Sequence, residues 1–221
     1  MAFSTNEIHI NYVDISKIKI QSIPKNFKNN RLLNLHIKRI TNSNQKLLIS
    51  SAFLKTYFIK NNLPNEGFLY CNKYGKWMVK NNLYFISITH AGNYCLFSYG
   101  KFNHGIDIEK IDKTFNFEKN SHLFLNNREL SLAKNNNYNS ELCYRFWSIK
   151  ESYWKMNRRV FFIDPDLFTN NHKFIKSKKS LIYNGVWNNY SYAFCMDAKH
   201  PNFYKFKFKN VTDDFANSLT F

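Results

Sequence analysis

The stretch that most limits the fold lies between residues 105 and 158. Gly105-Ile106-Asp107-Ile108-Glu109 alternates apolar and acidic side chains. In a strand successive side chains leave opposite faces, so Asp107 and Glu109 share one face and the two isoleucines the other. From Glu141 to about Arg158 runs the strongest helical pattern in the chain. A strand with one apolar face, followed by one long helix, calls for a sheet with helices packed against it, an α+β arrangement.

The rest of the chain extends that pattern. Ile8, Ile10 and Tyr12 alternate with His9 and Asn11 as an early strand. Leucines at helical spacing predict two helices, from about Asn30 to Ile40 and from Asn44 to Lys60, with Asn44 as a cap. Residues 68–79 read as a hairpin turning near Lys73–Gly75, and 84–89 with 94–99 as a second strand pair turning at His90–Asn93. In the second half, Asn126 or Asn127 caps a short helix through Lys134. Leu181–Val186, Tyr190–Met196 and Phe203–Lys209 follow as strands, with Asn188–Asn189 marking a hairpin. The order is β, αα, ββββ, then β, αα, βββ. It divides the chain into an N-terminal half, 1–103, and a C-terminal half, 104–221, with no repeat in sequence and no linker between them, so one compact unit is expected.

Charge separates the halves. The 221 residues carry 32 Lys+Arg against 15 Asp+Glu, a formal net charge of +17; residues 1–103 hold 14 basic and 3 acidic side chains, and residues 104–221 hold 18 and 12. Such a field attracts nucleic acid, an anionic membrane, a polyphosphate cofactor or an acidic protein, and no run of basic residues chooses among them. At 44% hydrophobic and 18% aromatic the chain has ample material for a core, which excludes disorder as its main state. No apolar run reaches the ~18 residues of a membrane span, and Glu7 interrupts the amino terminus where a signal peptide would be apolar, so a soluble, cytoplasmic protein is expected. Cys71, Cys95, Cys143 and Cys195 have no metal-ligand spacing and read as reduced thiols.

Three segments carry chemistry. Paired carboxylates such as Asp107 and Glu109 repel unless a cation lies between them, and hard oxygen donors suit Mg²⁺; a solvated edge strand would show the same pattern. In Trp147-Ser-Ile-Lys-Glu-Ser-Tyr-Trp-Lys155, Trp147, Glu151 and Lys155 lie four apart on one helix face, with Lys150 and Trp154 flanking. An ordinary Glu151–Lys155 surface pair beside a core tryptophan is the alternative. Ile86-Ser-Ile-Thr-His-Ala91 puts Thr89 and His90 at a strand end, where hydroxyl and imidazole can bind phosphate or simply face solvent.

In combination these segments resemble the 4′-phosphopantetheinyl transferases of the single-chain, surfactin-synthetase-activating type. The resemblance rests on Gly75-Lys76, ISITHA at 86–91, GIDIE at 105–109 and WSIKES at 147–152 with Lys155, in the family's order and spacing across about residues 70–160. It implies two similar α/β halves related by a pseudo-twofold in one monomer. It also implies an enzyme, a holo-[acyl-carrier-protein] synthase, that moves phosphopantetheine from coenzyme A to a serine of an acidic apo carrier protein, acyl, peptidyl or aryl, and releases adenosine 3′,5′-bisphosphate. By that resemblance Asp107, Glu109 and Glu151 hold Mg²⁺, or Mn²⁺, against the pyrophosphate. Glu151 is the candidate general base, and Lys155 contacts the phosphates. Lys76, Thr89 and His90 bind coenzyme A together with Asp107, His90 near the 3′-phosphate. The basic surplus then serves to steer the acidic carrier, with residues 115–125 offered as part of the docking surface or as a core helix. Neither nucleic acid nor membrane is an expected partner.

Some positions depart from the family. Trp77 stands where proline is common after Gly-Lys, Ser87 where asparagine is common, and Gln45 where an arginine is usual; the glycines usual after the last motif are absent between residues 156 and 168. Lys46, Arg31 or Lys28 are the candidates to replace the arginine. Glu129 sits where the family often has an acidic residue, and a solvated helix position is the preferred account of it. The rival readings are a basic nucleic-acid-binding protein, which would tolerate Asp107→Ala, and a Mg²⁺-dependent nuclease, whose sites usually carry Glu-x-Lys on a strand rather than Lys150-Glu151 on a helix.

Overall fold

The computed structural model describes residues 7–17, 69–71, 77–79, 84–157, 174–176, 180–197 and 205–213. The two helices expected between residues 30 and 60, the turn at Lys73–Gly75, and Lys28, Arg31, Gln45, Lys46 and Lys76 lie outside them. The chain divides into two compact units, residues 1–101 with 205–221, and residues 102–204.

The first unit holds a four-stranded sheet in the order β10-β1-β5-β4, formed by β1 (Glu7–Asp14), β4 (Phe85–Ala91), β5 (Tyr94–Gly100) and β10 (Lys205–Asn210). The alternation holds at Ile8 and Ile10, both shielded, and fails beyond them, since Asn11 and Val13 are buried and Tyr12 is half-buried; Ile86, Cys95, Phe97 and Tyr99 are shielded on the neighbouring strands. Strands β4 and β5 pair antiparallel around Gly92-Asn93, where Gly92 takes φ 49°, a conformation that costs glycine nothing. A short antiparallel pair, β2 (Leu69–Cys71) with β3 (Trp77–Val79), forms the expected hairpin. Strand β10 pairs parallel to β1, Ile8 opposite Phe206. The last strand thus belongs to the first unit, whereas the division at residue 103 assigned it to the second half. That pairing joins strands almost 200 residues apart and leaves no local mark in the sequence.

The second unit is a four-stranded antiparallel sheet in the order β6-β9-β8-β7, with helices on one face. Its strands are β6 (His104–Lys110), β7 (Phe174–Lys176), β8 (Ser180–Trp187) and β9 (Tyr190–Asp197); its helices are α1 (Phe117–Asn120), α2 (Asn127–Asn135) and α3 (Ser140–Asn157). The β8–β9 hairpin turns on Asn188 and Asn189, with φ 46° and 65°, the left-handed pair that two-residue hairpins demand. Asn189 fastens this tip to the end of β6, its carbonyl accepting from Ile111 N–H at 3.0 Å and its amide donating to the Ile111 carbonyl at 3.2 Å. Cys143, Phe146, Ile149 and Met156 of α3 pack with Ile182, Ala193 and Cys195 of the sheet, and with Phe117, Phe124, Leu125 and Ala133. The chain is therefore a mixed helix-and-strand α+β protein. Among the described residues no helix is long and apolar enough to cross a membrane.

Candidate active site

The site begins with how near α3 lies to β6. Gly105, Asp107 and Glu109 share the strand face that meets the helix. A Cβ on Gly105 would stand 2.6 Å from the Met156 nitrogen and closer still to the Ser152 carbonyl oxygen. Only a residue without a side chain admits the helix backbone this close. That approach carries the 147–151–155 stripe of α3 over the strand carboxylates. Lys155 Nζ donates to Asp107 Oδ1 at 2.6 Å, and Trp147 Nε1 donates to Glu109 Oε1 at 3.2 Å. The Lys155 pairing crosses from helix to strand, which goes beyond the within-helix Glu151–Lys155 contact that spacing alone suggests.

Burial and crowding set the electrostatics. Asp107 is 1% exposed. Desolvation, followed by repulsion from Asp107, pushes Glu109 up to about 7; Lys155 and the Trp147 hydrogen bond oppose that rise, and Glu151 adds to it. Glu151 is also raised, by burial first and by Asp107, against the pull of Lys155. Among the described residues the three carboxylates therefore feel one another around the Lys155 ammonium, and at Glu109 and Glu151 burial and repulsion outweigh its pull, a shortage of compensating positive charge.

That shortage has a measurable consequence. With a folded value near 7 against an ordinary 4.5, Glu109 binds more proton in the folded protein across that interval. Stability of the metal-free protein should therefore fall as pH rises from about 4.5 to about 7. Glu109→Gln should flatten this slope in thermal melts run in EDTA; an unchanged slope would show that Glu109 is not the group under strain.

A donor set of three carboxylates, without thiol or imidazole, fits a hard divalent cation in type and charge. Among the described residues no three His, Cys, Asp or Glu side chains are yet gathered into a metal-holding group. With Lys155 on Asp107, ligation requires the carboxylates to draw closer than they stand.

The structure brings Asp107, Glu109, Glu151 and Lys155 together in the second unit. Thr89 and His90 stand in the first, on β4, Thr89 buried and His90 exposed, and Lys76 lies outside the described residues. Of the departing positions, Ser87 is buried on β4 and Trp77 begins β3. Of residues 115–125, Phe117, Phe124 and Leu125 are core, while Phe115 and Leu123 are exposed. Cys95, Cys143 and Cys195 are buried and form no disulfide, as reduced core thiols should, and burial pushes Cys143 up to about 11.

Glu129 is not a solvated helix residue. It is 3% exposed, completes a capping box with Asn126 at the start of α2, and pairs with Lys150 at 2.5 Å. Asn126-x-x-Glu129 is itself a capping-box signature, and that signal would have placed Glu129 at the helix start. The Trp147 hydrogen bond to Glu109 had no comparable mark.

Residues 103–197 match the family model described as the 4′-phosphopantetheinyl transferase superfamily, so a domain of that superfamily is present. The match covers all four clustered residues and less than half of the chain. It supports phosphopantetheine transfer in general terms. No curated protein matches the chain at a significant level.

Proposed function

We propose that the protein transfers the 4′-phosphopantetheine arm of coenzyme A to a serine of an acidic apo carrier protein, with Mg²⁺ or Mn²⁺ as cofactor. The observation that carries this reading is the cluster of Asp107, Glu109 and Glu151 around Lys155, held by the Gly105 approach inside the matched segment. In this reading the chain is a cytoplasmic monomer of the single-chain type, with two related halves.

The reaction joins the serine oxygen to the β-phosphorus of coenzyme A and breaks that phosphorus's bond to the bridging oxygen, releasing adenosine 3′,5′-bisphosphate. Asp107, Glu109 and Glu151 would hold the divalent cation, which when bound neutralises pyrophosphate charge and polarises its oxygens. Glu151 is assigned to take the serine proton; a carboxylate that also holds a cation is a weak base, so its part rests on position rather than on basicity. Lys155 exchanges Asp107 for phosphate oxygens and stabilises the charge that develops on the leaving bisphosphate. Thr89, His90 and Lys76 are assigned to coenzyme A, His90 to its 3′-phosphate.

The test is to incubate the protein with coenzyme A, Mg²⁺ and a panel of acidic apo carriers, and to follow adenosine 3′,5′-bisphosphate by chromatography. Release that requires both carrier and divalent cation is expected. Coenzyme A left intact with every carrier would overturn the reading.

The surplus of positive charge gives a second expectation. Steering of an acidic carrier by a chain of net charge +17 weakens as salt rises. Added NaCl should raise KM for the carrier more steeply than it lowers kcat. Equal sensitivity of the two would remove electrostatic steering from the account.

A further inference from the structure

A second buried ion pair lies beside the cluster, and the proposed chemistry does not use it. Lys150 Nζ and Glu129 Oε2 are 2.5 Å apart, with side-chain exposures of only 8% and 4%. Lys150 also donates to the Phe124 carbonyl at 2.6 Å, while Glu129 Oε2 accepts from Asn126 N–H at 2.8 Å. One ammonium thus ties both ends of the turn between Phe124 and Glu129 to α3. Buried pairs of this kind are weak sources of net stability, and a capping box needs no lysine.

The turn it fastens touches the site. The Phe124 ring meets the Trp147 indole edge to face, with centroids 4.8 Å apart at 77°. Trp147 lies three residues before Lys150, so both stand on neighbouring positions of α3. The indole N–H in turn donates to Glu109 Oε1 at 3.2 Å. An unbroken chain of contacts therefore runs from Glu129 through Lys150, Phe124 and Trp147 to a strand carboxylate.

We propose that the Glu129–Lys150 pair positions Glu109. It pins the Phe124 backbone, the Phe124 ring fixes the plane of the Trp147 indole, and the indole N–H aims the Glu109 carboxylate. Glu129, Lys150, Phe124 and Trp147 are positioning residues here. The value of that aim to catalysis rests on the transferase reading above, but the contact chain does not. Partners that orient a ligating carboxylate commonly alter metal affinity by 10–100-fold.

The test uses the full chain and two readouts. The Trp147 indole resonance, assigned in the ¹H–¹⁵N spectrum by its absence from Trp147→Phe, reports the hydrogen bond to Glu109. Mn²⁺ affinity, measured by electron paramagnetic resonance, reports the aim. The double variant Glu129→Gln/Lys150→Met removes both buried charges together and avoids stranding either; Phe124→Leu breaks the middle link and leaves the pair intact. Each is expected to shift the indole resonance toward that of a free indole and to weaken Mn²⁺ binding by about tenfold. A folded variant of either kind with wild-type resonance and wild-type Mn²⁺ affinity overturns the proposal. If the wild-type chain binds no Mn²⁺ and modifies no carrier, the functional reading fails, and the indole resonance alone still decides the positioning claim.

Discussion

Glu151→Gln is expected to lower the rate of carrier modification by about 10³-fold while the protein stays folded. The amide keeps the shape of the side chain and removes both a negative charge and the proton-accepting oxygen. In the metal-free protein that charge is unfavourable, because burial and Asp107 both raise the Glu151 pKa. The variant's melting temperature should therefore match or slightly exceed that of the wild type in EDTA. Loss of activity with retained or increased stability is the mark of a residue kept for function at the expense of the fold. Activity within tenfold of the wild type would exclude Glu151 as both base and metal ligand.

Gly105→Ala should be the most damaging single methyl in the second unit. The new Cβ would meet backbone at Ser152 and Met156, and backbone cannot rotate aside as a side chain can. Helix α3 must retreat from β6. Overpacking of this kind costs about 1–3 kcal/mol, or a fall in melting temperature of several degrees for a chain of this size. The retreat also moves Glu151 and Lys155 away from Asp107, and a displacement of about 1 Å at such a site lowers rates by about 10²-fold. Both effects should appear together. A variant that melts as the wild type does and keeps full activity would mean that helix and strand are not held at this distance.

Sequence made the local elements legible because each is written in a few adjacent residues. Strand β6 follows from the alternation of Ile106 and Ile108 with the carboxylates, α2 from the asparagine cap at Asn126, and the β8–β9 turn from Asn188-Asn189. Long-range pairing was not legible. Nothing near residues 205–210 says that β10 runs parallel to β1, and β7 has too few residues to show a period. The candidate site divides in the same way. The shared strand face of Asp107 and Glu109, and the stripe of Trp147, Glu151 and Lys155, follow from periods of two and four. That Lys155 crosses to Asp107 and that Lys150 buries itself against Glu129 depend on how near helix and strand approach, which one glycine sets and no spacing rule reveals.

The most direct measurement is the intact mass of an acidic apo carrier protein after incubation with this chain, coenzyme A and Mg²⁺. The account predicts a gain of one phosphopantetheine per carrier, located on a serine and abolished by EDTA or by Glu151→Gln. Carriers of unchanged mass across the panel, with coenzyme A intact, would contradict it.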